Sequence, residues 1–130
     1  MTTWITKTAT LAIHDQQLAE HGGSEGLRDS NVLESALARA QQLEAYGGQA
    51  VDIAALAAAY AFGIAKNHAF IDGNKRTSLA VTETFLMLNG YDLTADDAAC
   101  VEAWTLLGDG TLSEKECADW LRKNIVKVAS

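Results

Sequence analysis

The run Ile53-Ala54-Ala55-Leu56-Ala57-Ala58-Ala59-Tyr60-Ala61-Phe62-Gly63-Ile64-Ala65 constrains this chain more than any other stretch. Wound as a helix it is apolar all round, so it has no face to offer to water and must be surrounded by other elements. At about thirteen residues it is too short to cross a bilayer, which takes roughly twenty. It has the length of a core helix. Asp52 stands where an N-cap belongs, and Lys66-Asn67 ends the run. Small side chains along it let neighbouring helices approach closely.

The flanking segments read as those neighbours. Leu11, His14, Asp15, Leu18 and Ala19 recur at helical spacing after the Thr8/Thr10 region, and Gly22-Gly23 stops them. Ser24-Glu25-Gly26-Leu27-Arg28 reads as a loop. Asp29 or Ser30 then caps a second helix whose apolar stripe is Val32, Leu33, Ala36, Leu37, Ala40 and Leu43. Tyr46-Gly47-Gly48-Gln49-Ala50 breaks it. A fourth helix starts near Asn74, carries Leu79, Phe85, Leu86 and Leu88, and stops at Asn89-Gly90. Thr94-x-x-Asp97 predicts the start of a fifth, and Ser113-x-x-Glu116 is a capping box for a last one. Trp104, Leu106 and Leu107, then Trp120, Leu121, Ile125 and Val128, supply their core faces, with Gly108-Asp109-Gly110 as the turn between. Proline is absent, so caps and glycines must set every helix end. Strand-like alternation is nearly missing. The expected fold class is all-α: a compact bundle of one domain, residues 1–130, around the buried central helix, with Gly47 to Val51 as a short extended flap.

Charge narrows the function. A net charge of −7 argues against direct nucleic acid binding, because phosphate backbones need basic surface. Between Thr77 and Gly110 there is no Lys or Arg, whereas Lys66, Lys75 and Arg76 gather three of the chain's ten cations around His68. One small basic focus on an acidic protein suits a compact anionic ligand. No apolar run is long enough for a membrane span, and Met1 to Lys7 lacks the apolar core of a secretory signal. Cys100 and Cys117 fall in separate predicted helices with no metal-binding spacing, which fits a reducing cytoplasm.

The focus is His68-Ala69-Phe70-Ile71-Asp72-Gly73-Asn74-Lys75-Arg76-Thr77. Gly73 to Thr77 lies where the fourth helix begins, and a helix start offers unpaired N–H groups and partial positive charge. Gly73 lets an anion approach the backbone. Lys75 and Arg76 add two cations, and Asn74 can donate through its amide. Asp72 would repel phosphate alone, but a carboxylate belongs there if Mg²⁺ lies between them. Histidine is the side chain suited to exchange a proton near neutral pH, which makes His68 a candidate base. A hydroxyl between His68 and a metal-bound phosphate would meet the parts for phosphoryl or nucleotidyl transfer.

Each residue also has a plainer reading. His68 can be a helix C-cap, Lys75 and Arg76 solvated surface, Asp72 an N-cap, and Phe70 core. The Walker pattern Gly-x-x-x-x-Gly-Lys-[Ser/Thr] is missing. A non-catalytic helical module that holds nucleotide stays open beside the catalytic readings.

His68-x-Phe70-x-Asp72-Gly73-Asn74-Lys75-Arg76-Thr77 resembles the signature of the Fic/Doc superfamily, specifically its Doc (death-on-curing) toxins. His14-Asp15, Gly22-Gly23, Gly26-Leu27-Arg28-Asp29 and Leu33-Glu34-Ser35-Ala36-Leu37 resemble the N-terminal half of Doc-type proteins. The resemblance implies a Fic-like helical bundle. It implies that His68 is the catalytic base, Asp72 the Mg²⁺ ligand, Gly73 and Asn74 part of an anion hole, and Lys75 and Arg76 the holders of nucleotide phosphates. Fic members have Gly where this chain has Lys75 and an Arg where it has Leu79. Both departures imply transfer of the γ-phosphate of ATP to a threonine of elongation factor Tu, blocking translation. Gly73 is the more Fic-like choice, which keeps transfer of AMP as the alternative. The resemblance also implies a Phd-type antitoxin whose C-terminal helix docks in a groove of the toxin, and a target-docking role for Tyr46 to Val51. His14 and Arg28 are expected at the edge of the site in structural roles.

Overall fold

The computed structural model describes residues 1–128, with Gln49 described by its backbone alone. Helix α1 is Lys7–His21, α2 Ser30–Gly47, α3 Ile53–Asn67, α4 Asn74–Leu88, α5 Asp97–Gly108 and α6 Glu114–Asn124; strands β1, Tyr91–Leu93, and β2, Ile125–Lys127, form a two-stranded antiparallel sheet. The all-α expectation holds.

Side-chain caps start most of the helices. Thr6 accepts from the Ala9 N–H, Asp29 from Asn31 and Val32, Asp52 from Ala55, and Asp96 from Ala99. Ser113 and Glu116 form the reciprocal capping box. Helix α3 runs through the middle, against α2, α4 and α6. Its alanines 54, 57, 58, 59, 61 and 65 are buried, so partner backbones come close. A Cβ on Gly63 would lie 3.0 Å from the Cβ of Ala36 on α2. Tyr60, Phe85, Leu33, Ile64, Leu107 and Leu121 fill the remaining space. Ser78 on α4 ties three helices together: its hydroxyl donates to Ala61 O at 2.7 Å and accepts from Trp104 Nε1–H at 2.9 Å, all in the buried interior.

Three local expectations are corrected. Residues Gly48–Ala50 make a single 3₁₀ turn, not an extended flap, because the tight bend at Gly48 (φ 60°) folds the chain back from α2 directly into α3. Helix α5 is capped by Asp96, not opened at Thr94; the Thr94 N–H and hydroxyl both go to Asn124 O, at 2.7 and 2.8 Å, extending the strand pair. Helix α6 ends at Asn124, and Ile125 leaves it as the first residue of β2. Val128 is 43% exposed and outside the core. Residues 129 and 130, the end of the expected domain, lie outside the described residues. No helix among the described residues is long and apolar enough to cross a membrane.

Candidate active site

The loop from Asn67 to Gly73 joins the buried central helix to α4, and the segment just before α2 braces it. Leu27 and Phe70 form an isolated antiparallel bridge. Around it the Arg28 and Asp29 N–H groups donate to Ala69 O at 2.7 and 3.0 Å, and the Ile71 N–H donates to Gly26 O at 3.1 Å. Phe70 therefore turns its own N–H and C=O to the other side, where the Asn74 amide meets both. Its Oδ1 accepts from Phe70 N–H at 3.0 Å and its Nδ2 donates to Phe70 O at 2.9 Å. Both ends of its amide bond to the loop, while the second Nδ2 hydrogen can still donate elsewhere.

His68 sits at the C-cap of α3 in the left-handed region, φ 52° and ψ 54°, and among the described residues it is the non-glycine residue with positive φ. Such a conformation costs about 1–2 kcal/mol and persists only where surroundings enforce it. Arg28 supplies part of that enforcement: its Nε–H donates to His68 O at 2.8 Å and its Nη2–H to Asn67 O at 3.1 Å. The plain cap reading is thus right for the backbone of His68, while its side chain is exposed and lines a cavity.

Asp72 is exposed, with Oδ1 accepting from the Gly73 N–H at 2.8 Å and Oδ2 from the Ser24 N–H at 3.2 Å. These two bonds, Ser24 first, with Arg76 nearby, hold its carboxyl below the usual carboxylate range. Its backbone carbonyl accepts from His14 Nε2 at 2.8 Å. Because a carbonyl can only accept, Nε2 carries the proton. The His14 ring is buried and stacks on Phe70 at 3.8 Å between centroids. His14 and Arg28 therefore buttress the loop from behind. Ser24 and Gly23 complete that brace; the sequence marks them as a loop start and a helix stop, not as neighbours of Asp72. The signal was Gly23 itself, φ 122°, whose missing Cβ would stand 2.8 Å from Asp72 Oδ2.

Helix α4 lacks a side-chain cap; Gly73 precedes it in the left-handed conformation, φ 78°. Its first N–H groups thus remain open to an outside acceptor. Lys75 and Arg76 stand on that turn, and no ion pair among the described residues engages either. The Lys75 stem passes over Gly108, where a Cβ would lie 3.0 Å from Cδ, and Lys66 reaches Gly110 in the same way. A cavity of about 500 Å³ opens between the start of α4 and α5, within the range of small-ligand sites. It is lined by His68, Asp72 and Gly73 of the loop, by Asn74, Lys75, Arg76 and Leu79 of α4, and by Val101, Trp104 and Thr105 of α5. Ile71 stands at its rim, 58% exposed.

The donor set fits a nucleotide with Mg²⁺. No group of three or more His, Cys, Asp or Glu among the described residues could hold a metal by itself. Mg²⁺ needs no such cage, since it keeps water and takes one or two carboxylates plus substrate phosphates. Asp72 has a free lone pair on each oxygen after its two backbone bonds.

The chain has relatives with names. It is 31% identical over 113 residues, 87% of this chain and 88% of the relative, to "Protein kinase doc" of Escherichia phage P1. It is 45% identical over 76 residues, 58% of each chain, to "Toxin Doc" of Mycolicibacterium smegmatis. The Fic/DOC family pattern matches residues 4–86, from the start of the bundle through most of α4. This protein belongs to the Fic/Doc family, on its Doc side.

Proposed function

We propose that this protein is the toxin of a toxin–antitoxin pair and acts as a protein kinase. In this reading it moves the γ-phosphate of ATP onto a threonine or serine hydroxyl of a translation factor, elongation factor Tu, and so halts translation in the cytoplasm. One observation carries the reading: Lys75 and Arg76, which no ion pair among the described residues engages, stand on an uncapped helix start that lines the same cavity as the His68 imidazole and the Asp72 carboxylate. The relatives named as a kinase and a toxin support it.

The roles follow from chemistry. His68 accepts the proton of the acceptor hydroxyl as its oxygen bonds to the γ-phosphorus; the bond from that phosphorus to the bridging oxygen breaks, and ADP leaves. The open N–H groups after Gly73, including that of Asn74, receive phosphate oxygens, and Lys75 and Arg76 neutralise their charge. Asp72 would hold Mg²⁺, which when bound supplies further neutralisation between phosphates. Lys75 occupies space that is open in Fic members with glycine there, which favours phosphate over AMP transfer. The partner is a Phd-type antitoxin, with its C-terminal helix in a groove of this bundle.

The test is incubation with elongation factor Tu, ATP and Mg²⁺, followed by the intact mass of the target. A gain of one phosphate is expected. A gain of AMP replaces the kinase by an adenylyltransferase, and an unmodified target with ATP still bound favours a nucleotide-holding module. His68→Ala should abolish transfer and toxicity while ATP still binds. Asp72→Ala should remove Mg²⁺-dependent transfer from a folded chain, whereas unfolding would reduce Asp72 to a structural cap.

A further inference from the structure

We infer that Arg28 is a positioning residue for the His68 base, an inference that rests on the reading of His68 just given. Three successive carbonyls surround the left-handed residue, and the Arg28-Asp29 pair meets all of them. Arg28 Nη2–H donates to Asn67 O at 3.1 Å, Arg28 Nε–H to His68 O at 2.8 Å, and the Arg28 and Asp29 N–H groups to Ala69 O at 2.7 and 3.0 Å.

This arrangement decides where the imidazole goes. Asn67 is the last helical residue of α3, and a right-handed His68 would simply continue that helix. The Cα–Cβ direction would then rotate with the backbone and carry the ring away from the cavity wall. Only the left-handed state turns the side chain toward the α4 start, and that state is intrinsically disfavoured for a residue with a Cβ. The guanidinium is suited to stabilise it. Its Nε and Nη2 donors lie in one plane at fixed spacing, so accepting both carbonyls fixes the orientation of the peptide between them. A lysine ammonium supplies charge to the same helix end but no planar fork. The anchor is itself tied to α2, because Asp29 caps that helix and accepts from Asn31 and Val32 N–H. Arg28 is not among the residues that line the cavity, so its side chain acts on the backbone around the base and not on nucleotide.

The test compares Arg28→Lys, Arg28→Gln and Arg28→Ala with the parent protein, using ATP, Mg²⁺ and elongation factor Tu. Misplacing a catalytic group by about an ångström costs on the order of 100-fold in rate. Arg28→Gln and Arg28→Ala should therefore lose roughly 10- to 100-fold in kcat, while KM for ATP stays within about twofold. Guanidinium ion should restore part of the rate of Arg28→Ala and none to Arg28→Lys. A readout without turnover is the imidazole resonance of His68 in the nucleotide-free protein. The chain has three histidines, and Arg28→Gln should move the His68 signal while leaving that of His14 in place. A rate within twofold of the parent, a fall in kcat matched by an equal rise in KM for ATP, or a His68 signal that does not move would each overturn the inference. His68→Ala separates the two levels. If it is inactive while the Arg28 variants keep full rate, the inference fails alone; if it keeps full transfer, the reading of the site fails with it.

Discussion

Replacing Asn74 by alanine isolates the clamp that closes the site loop. The residue is 8% exposed, and its amide makes two hydrogen bonds to Phe70, itself 1% exposed. Two neutral hydrogen bonds contribute about 1 kcal/mol each, and leaving the buried Phe70 N–H and C=O unpaired adds a penalty of about 1–3 kcal/mol for each group that water cannot reach. The truncated side chain opens room for water on one side, so the expected loss is about 2–4 kcal/mol. For a chain of this size that corresponds to a fall in Tm on the order of 10 °C. Urea unfolding followed by far-ultraviolet circular dichroism measures it without nucleotide, so catalysis does not enter. Asn74→Asp sharpens the test. An ionised carboxylate can accept from Phe70 N–H but faces Phe70 O with a second acceptor, so at neutral pH this variant should be no more stable than Asn74→Ala. Protonation restores a donor. The folded variant then holds its proton more tightly than the unfolded chain does, so its stability relative to the parent should recover as pH falls. A loss under about 1 kcal/mol for Asn74→Ala, or an Asn74→Asp variant as stable as the parent at pH 7, would refute the clamp.

Ser78→Ala should cost about 1–3 kcal/mol in urea unfolding, because Trp104 Nε1–H is left buried without an acceptor; a neutral result would mean that water reaches the indole. Asp52→Asn keeps a good helix cap but weakens the pairing with Arg122, whose Nε–H and Nη2–H donate to the carboxylate at 2.6 and 2.9 Å. That hydrogen-bonded pairing holds the Asp52 carboxyl below its ordinary range. The stability it contributes is therefore full above that range and lost as pH falls through the lowered value. The deficit of the variant, at most about 1 kcal/mol for so exposed a pair, should be present at pH 7 and disappear in thermal melts taken well below pH 4; a deficit constant with pH would exclude the ionic cause. Ile71→Ser should raise KM for the protein acceptor several-fold with Tm unchanged, since the side chain is 58% exposed at the cavity rim; an unchanged KM would show that the acceptor passes elsewhere.

Much of this molecule was legible before its fold was known, for reasons that differ by element. Helix α3 announced itself because thirteen residues without a polar face have one stable setting. The caps at Asp29, Asp52 and Ser113 were readable because their chemistry is local. Thr94 misled because threonine before an acidic residue also looks like a cap; a partner thirty residues away, Asn124 O, took both of its donors. Val128 misled because continued helical spacing says nothing of where a chain stops winding. Within the site, the charged residues and the loop were visible as a cluster. The commitment of the Asn74 amide to Phe70 was not, since it depends on which side of Phe70 faces Leu27. Arg28 was expected beside the site in a structural role, but which carbonyls it meets was not legible, nor was the bond from Ser24, because both act on backbone or loop groups 39 to 48 positions downstream.

The alanine-built axis has a consequence for how this fold tolerates change. A core made of large side chains is harmed most when atoms are removed. At the buried alanines of α3 and at Gly63 there is little to remove, and the sensitive direction is the opposite one. Gly63→Ala would bring a methyl group within 3.2 Å of the Ala36 Cα, which is backbone and cannot swing aside. At the alanines of α3 and at Gly63 a side chain can scarcely grow, so drift at those positions should stay among the smallest residues, whereas Tyr60 and Ile64 on the same helix are buried and must keep their bulk.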